Sequence, residues 1–166
     1  MGAHMKIIVF SDSHRELTHM QDVISREKPD YVFHLGDHDS DAQQISRSFQ
    51  LLPVVSVRGN CDGWSDTPKT LTVRIGSVTF FLCHGHTLGV KSGNSTAVYA
   101  AMEQNADVLL YGHTHEAFYE CMELQGERAL YVLNPGACGC GSRPTYGFFL
   151  LENGRFADWG IRYCKG

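Results

Sequence analysis

Five times along this chain a short apolar run stops at a turn rich in aspartate, asparagine, histidine and glycine, and this recurrence constrains the fold more than any other feature. Lys6 to Phe10 leads into Asp12-Ser13-His14, Tyr31 to Leu35 into Gly36-Asp37, and Pro53 to Val57 into Gly59-Asn60. Later, Val78 to Cys83 leads into His84-Gly85-His86, and Asp107 to Tyr111 into Gly112-His113-Thr114-His115. Between the first three runs lie segments of helical spacing. Glu16 to Lys28 brings Leu17, Met20, Val23, Ile24 and the stem of Lys28 near one face before Pro29 stops it. Ser40 to Phe49 is read as a second helix. Strand, helix, strand, helix, strand at this spacing implies parallel pairing through right-handed crossovers.

The second half changes style. Leu71–Ile75 and Val78–Cys83 flank Gly76-Ser77, where glycine permits the positive φ of a tight hairpin turn. A helix is expected over Asn94–Gln104, then strands over Asp107–Tyr111, Ala117–Leu124, Arg128–Leu133, Tyr146–Leu151 and Arg155–Tyr163. Two sheets packed face to face, with helices outside, accommodate this mixture. At 166 residues, 43% hydrophobic and 19% charged, the chain suits one domain, and neither linker nor repeat interrupts it. Residues 1–4 read as an expression remnant and 5–166 as the single domain, so His4 is set aside.

Charge narrows the partners. Fourteen basic against eighteen acidic residues give a net charge of −4, and no basic run exists to follow a nucleic-acid backbone. Extended nucleic-acid binding is therefore disfavoured, whereas a small phosphate ester is not. The six scattered cysteines read as reduced thiols in a chain with enough apolar mass to fold unaided. The apolar start is far shorter than the ~20 residues a spanning helix needs, so no membrane partner and a cytoplasmic location are expected.

In open sheets, ligands bind beyond the carboxyl ends of the strands, and five such ends could converge on one site. Residues i and i+2 of an extended segment point to the same side, roughly 6–7 Å apart. Asp12 with His14, His84 with His86, and His113 with His115 can each present a pair. Singly, each has an ordinary role: Asp12 as a helix cap, Asp37 and Asn60 as turn residues, the histidines as incidental surface groups. Their shared position makes a joint coincidence a poor explanation. Carboxylate, imidazole and carboxamide donors suit Mn, Fe, Ni or Zn rather than a structural thiolate zinc. Seven such ligands exceed what one tetrahedral ion needs, and two ions sharing a carboxylate fit the count. Spacing does not choose between His84 and His86.

In this order, Asp12-Ser13-His14, Gly36-Asp37, Gly59-Asn60, His84-Gly85-His86 and Gly112-His113-Thr114-His115 resemble the calcineurin-like metallophosphoesterase superfamily. The small single-domain bacterial and archaeal phosphodiesterase branch is the most similar, and Asn134-Pro135-Gly136 resembles a further family element. The resemblance implies an α/β fold (α+β in some schemes), a four-layer α-β-β-α sandwich with two mixed β-sheets. It implies that Asp12, His14, Asp37 and His115 hold one metal, and that Asp37, Asn60, His84 and His113 hold the other. His86 is left beside the site as a catalytic group, with Asp37 and Asn60 also catalytic through the ions and the phosphoryl oxygens. Two divalent transition-metal ions are expected, Mn2+ ahead of Ni2+, Fe2+ and Zn2+. The expected reaction is hydrolysis of a phosphate ester, a diester rather than a monoester, by a hydroxide shared between the ions.

One departure from the pattern matters. Most of the superfamily has histidine after the Gly-Asn pair, whereas Cys61 stands here, a poor proton donor by comparison. Cys61, His38 and Arg143 are candidate substrate contacts. His34, inside an apolar run, reads as a satisfied core histidine. Thiol nucleophiles at Cys61 or Cys83 and a Cys138-Gly139-Cys140 metal chelate are weaker readings. The rival from another class is a protein-binding scaffold of the same fold, as in the retromer subunit resembling this family, whose first motif lacks the histidine present here as His14. Oligomeric state is left open, a homo-oligomer included.

Overall fold

The computed structural model describes residues 4–126 and 128–165. Met1, Gly2 and Ala3 of the expected remnant lie outside the described residues, while His4 opens the first strand opposite Glu152. In chain order the elements are β1 (His4–Phe10), α1 (Thr18–Glu27), β2 (Tyr31–His34), α2 (Asp39–Ser48), β3 (Val54–Ser56), β4 (Thr70–Ile75) and β5 (Val78–Cys83). They continue with α3 (Ser95–Glu103), β6 (Val108–Leu110), β7 (Phe118–Glu123), β8 (Ala129–Asn134), β9 (Thr145–Glu152) and β10 (Arg155–Tyr163). Two short 3-10 turns, His86–Leu88 and Val90–Ser92, precede α3.

The strands form two five-stranded sheets, ordered β10-β9-β1-β2-β3 and β4-β5-β6-β8-β7. In the first, β1, β2 and β3 run parallel, with β9 and β10 added antiparallel. In the second, β5, β6 and β8 run parallel, with β4 and β7 antiparallel at the two edges. Both sheets are mixed. The Gly76-Ser77 hairpin is present, with Ile75 opposite Val78 and Gly76 at φ 60°.

The four layers follow from the period-two alternation of strand side chains. Ile7 and Val9 of β1 point between the sheets, joining Phe33, Phe80, Leu82, Leu110 and Phe149 in the inner core. Ile8 and Phe10, one residue out of phase, pack instead with Met20, Val23 and Ile24 of α1 and Ile45 of α2. On the far side, Phe81, Cys83 and Leu109 meet Ala97, Val98 and Ala101 of α3. The runs are apolar on successive residues because both faces of these strands are covered. Phe80 locks the sheets together, its ring 5.4 Å from that of Phe33 and 5.6 Å from that of Phe149, both edge-on.

One sequence expectation needs adjusting. Lys28 does not continue the face of α1. It adopts the left-handed conformation (φ 49°, ψ 59°), and its N–H caps the helix at the Ile24 carbonyl. All six cysteines are free thiols, and no helix among the described residues is long and apolar enough to cross a membrane.

Candidate metal centre

The carboxyl ends of β1, β2, β5 and β6 meet at one rim of the sandwich, stitched by backbone hydrogen bonds. Asp12 N–H donates to the Gly36 carbonyl and Gly112 N–H to that of His84, at 3.0 and 2.9 Å. The sheets are joined directly, because the His113 N–H donates to Asp12 Oδ2 at 3.1 Å. Glycine makes the closest approach attainable: a Cβ at Gly36, itself at φ 102°, would lie 2.5 Å from the Gly59 nitrogen.

These turns are not extended. Among the described residues, ten other than glycine have positive φ, and seven of them are Asp12, His14, Arg15, Asp37, His38, His113 and His115. Each costs on the order of 1–3 kcal/mol unless its surroundings hold it. The i, i+2 argument from extended geometry therefore gives way to left-handed turns that bring ligand atoms closer. His115 Nε2 is 3.2 Å and His14 Nε2 3.9 Å from Asp12 Oδ1. Nor does His113-Thr114-His115 aim both rings at one point: His113 Nδ1 lies 3.2 Å from His84 Nε2, while His115 faces Asp12.

Two clusters that include carboxylates result, each with ligand atoms within 4.8 Å of one another: Asp12, His14, Asp37 and His115, and Asp37, His84 and His113. Asp37 belongs to both. Asn60 adjoins the second, its Oδ1 3.0 Å from His84 Nε2. His84 Nδ1–H donates to the Leu35 carbonyl at 2.9 Å, which leaves Nε2 with a lone pair. That lone pair meets Asn60 Oδ1, Asp37 Oδ1 at 3.4 Å and Asp12 Oδ1 at 3.8 Å. Acceptors facing acceptors need a cation or a proton between them. The buried atoms Asp12 Oδ1 and His14 Nε2 likewise have no hydrogen-bond partner among the described residues. The donor set fits divalent metal ions, with imidazole nitrogen and carboxylate oxygen as ligands.

Electrostatics follow the same geometry. Burial alone would raise the pKa of Asp37, but the His84 imidazole beside it and the Cys61 N–H outweigh it and hold the carboxyl well below its usual range. Burial would lower that of His84, yet Asp37 and Asp12 raise it above the ordinary value. His86 and His113 are shifted down, by burial and then by His84.

Of the remaining candidates, some sit around this cluster and others do not. His86 opens a 3-10 turn with its ring 5.4 Å from that of His84, and its buried Nδ1 is unpartnered. The His38 ring lies 5.1 Å from that of His14, and with Arg15, Cys61, Asp62 and Trp64 it lines a cleft of about 500 Å³. The Cys61 thiol is pushed up by burial and then by Asp37, so it holds its proton. Arg143 is not brought to the cluster. It is exposed and lays its guanidinium over the Tyr163 ring at 3.8 Å. Cys83 turns away from His84 into the α3 layer, and burial pushes its thiol up to about 12. Of the Cys138-Gly139-Cys140 pair, Cys138 is in the core and only Cys140 reaches the site.

Of three supporting groups, sequence reasoning missed two. Asp62 accepts the N–H groups of His38, Asp39 and Gly59, tying the second turn to the third. Asp41 accepts the Ser13 hydroxyl at 2.6 Å and the Arg15 N–H at 2.7 Å. His34, a core residue as read from the sequence, takes the Gly36 N–H at Nδ1 and therefore donates from Nε2 to Ser13 Oγ at 2.8 Å. Asp62 was visible as the residue after Cys61. Nothing local in the sequence links Asp41 to Ser13.

Residues 5–154 match the family model of the calcineurin-like phosphoesterase superfamily domain. A probable metallophosphoesterase of Bacillus subtilis, YsnB, is 32% identical over 154 residues, covering 90% of this chain and 86% of that protein. Phosphodiesterase MJ0936 of Methanocaldococcus jannaschii is 28% identical over 181 residues, covering 93% and 98%. Among solved structures, a predicted phosphoesterase from Streptococcus pneumoniae TIGR4 superposes with a TM-score of 0.77 at 28% identity, covering 98% of this chain and 91% of that one.

Proposed function

Because the chain belongs to the calcineurin-like phosphoesterase superfamily, we propose that it hydrolyses phosphate esters, diesters in preference to monoesters, with two divalent metal ions. The observation that carries this reading is Asp37, the one carboxylate common to both ligand clusters. Asp12, His14, Asp37 and His115 would hold one ion, and Asp37, Asn60, His84 and His113 the other. Ions bound there supply charge for the phosphoryl oxygens and an acidified water as nucleophile.

The chain's own groups do the rest. The Cys61 N–H fixes Asp37 Oδ1 at 2.9 Å, and the Leu35 carbonyl fixes the His84 ring, so both donors are preoriented. With Asn60 Oδ1 turned to His84 and one Nδ2–H directed to Cys61 Sγ at 3.8 Å, the other Nδ2–H remains to donate to a phosphoryl oxygen. The cleft lined by Arg15, His38 and Trp64 opens beside His14 and suits the group esterified to the phosphate. Cys61, held protonated, is a weak acid for the leaving oxygen, so esters of acidic alcohols such as aryl esters react best. The diester preference is supported by the name of the archaeal relative. Mn2+ is the favoured ion and the cytoplasm the favoured location.

The test is turnover of metal-reconstituted protein on bis-nitrophenyl phosphate and on nitrophenyl phosphate, with metal content measured alongside. The diester should be cleaved faster, and His115→Ala should lower both activity and bound metal. Faster monoester cleavage would overturn the diester preference. Full metal occupancy without turnover on any ester would favour a protein-binding scaffold.

A further inference from the structure

Cys140 lies outside the five strand-end turns that deliver the other candidate ligands. It is delivered by the loop after β8, which lies directly on the loop after β1. The Cys138 N–H donates to the Ser11 carbonyl at 3.1 Å and the Gly139 N–H to the Asp12 carbonyl at 3.3 Å. Gly139 permits this contact, since any Cβ there would collide with the Ser13 carbonyl. The next side chain, Cys140, therefore emerges beside the first-motif turn, with Sγ 3.5 Å from His115 Nδ1. Ligand atoms of His14, His115 and Cys140 lie within 4.8 Å of one another. Close by are two atoms with no hydrogen-bond partner among the described residues, His14 Nε2 and Oδ1 of the fully buried Asp12, the latter 3.2 Å from His115 Nε2.

We propose that Cys140 is a thiolate ligand to the ion that His14 and His115 would hold, raising that position's affinity for thiophilic divalent ions such as Zn2+, Cd2+ or Co2+. The inference rests on the metal-centre reading above and deepens it. A soft sulfur donor in an otherwise nitrogen and oxygen set raises affinity for these ions far more than for Mn2+ or Mg2+. Binding breaks the Cys140 S–H bond as the sulfur–metal bond forms, and the proton leaves to solvent. No oxidant or reductant takes part. The competing role for the thiol, accepting a hydrogen bond from His115 Nδ1–H without touching the ion, predicts a different spectrum.

Co2+ titration of the metal-free protein separates the two. Wild type and Cys61→Ser should show a near-ultraviolet sulfur-to-cobalt charge-transfer band together with visible d–d bands. Cys140→Ser should keep d–d bands and lose the charge-transfer band, and its preference for Cd2+ over Mn2+ should fall about 10- to 100-fold. A wild-type complex with d–d bands and no charge-transfer band, or a band that survives in Cys140→Ser, overturns the thiolate ligand and leaves the metal centre standing. Absence of any Co2+ binding overturns both. A second measurement uses wild type alone: Cd2+ should slow alkylation of Cys140 and leave exposed Cys121 on β7 unaffected. Equal alkylation of Cys140 with and without bound Cd2+ overturns the proposal.

Discussion

Asp12, Asp37 and His84 form the floor of the ligand cluster with almost no solvent contact, whereas His14 and His115 form its open wall, the His115 side chain being 43% exposed. The floor is bonded to the fold. Asp12 Oδ2 takes the Ser11 hydroxyl and the His113 N–H, Asp37 takes the Cys61 N–H, and His84 holds the Leu35 carbonyl. The wall has fewer such ties among the described residues: His115 contacts Cys140 Sγ through Nδ1 and Asp12 Oδ1 through Nε2. Buried polar groups are costly unless satisfied, so the floor residues answer to the fold and to the ions at once. The wall residues answer chiefly to the ions. Substitutions in the two places should therefore separate function from stability.

The largest effect is expected at Asp37. Asp37→Asn keeps the side-chain shape and an acceptor for the Cys61 N–H but removes the charge shared by both clusters. If that charge supports about 4 kcal/mol of transition-state stabilisation, activity falls about 10³-fold, with bound metal measured to follow it. Next, His84→Ala should lower activity and also cost about 2–4 kcal/mol in urea unfolding, from the void and the stranded Leu35 carbonyl. His115→Ala should reduce metal affinity about 10- to 100-fold. Its stability, measured on metal-free protein, should stay within about 0.5 kcal/mol of wild type, as at other surface positions. Equal destabilisation by the two histidine substitutions would erase the distinction between floor and wall.

A smaller effect sharpens it. Ser13→Ala removes the hydroxyl between His34 and Asp41 and strands the buried His34 Nε2–H, at a cost of about 1–3 kcal/mol, measured by urea unfolding. The smallest effect lies away from the site. At Glu27, burial would raise the pKa, but Lys6, Arg26 and Arg162 hold the carboxyl below its ordinary value of 4.5. A depressed carboxyl contributes stability above its unfolded pKa and loses it as pH falls through the lowered folded value. Glu27→Gln should therefore show a shallower loss of stability below pH 4.5 than wild type, followed by thermal unfolding across that range.

The floor and wall were not equally legible in the sequence. Asp12, Asp37 and His84 stand at the ends of apolar runs, and the position of a strand end survives errors in backbone detail. The two-sheet sandwich follows from the same runs, because strands apolar on successive residues must be covered on both faces. The turns themselves were misread as extended, since left-handed conformation at Asp12, His14, His113 and His115 carries no pattern that periodicity detects. The place of Arg143 in a glycine-rich stretch predicts contact with a phosphate, yet the fold turns it onto Tyr163. Proximity in the chain pairs Cys140 with Cys138. Its neighbour in space is His115, 25 residues earlier.

What the sequence determined alone is the set of layers and the rim on which donors collect, because apolar period and strand-end placement are local properties that burial enforces. What the tertiary structure decided is the sharing: that Asp37 lies in both clusters, that His113 and His115 part company, and that Cys140 arrives from the loop after β8. Those relations depend on loops from two sheets touching within a few ångströms. Residues more than a hundred positions apart, such as Asp12 and His113, meet only when the sheets close on a common core.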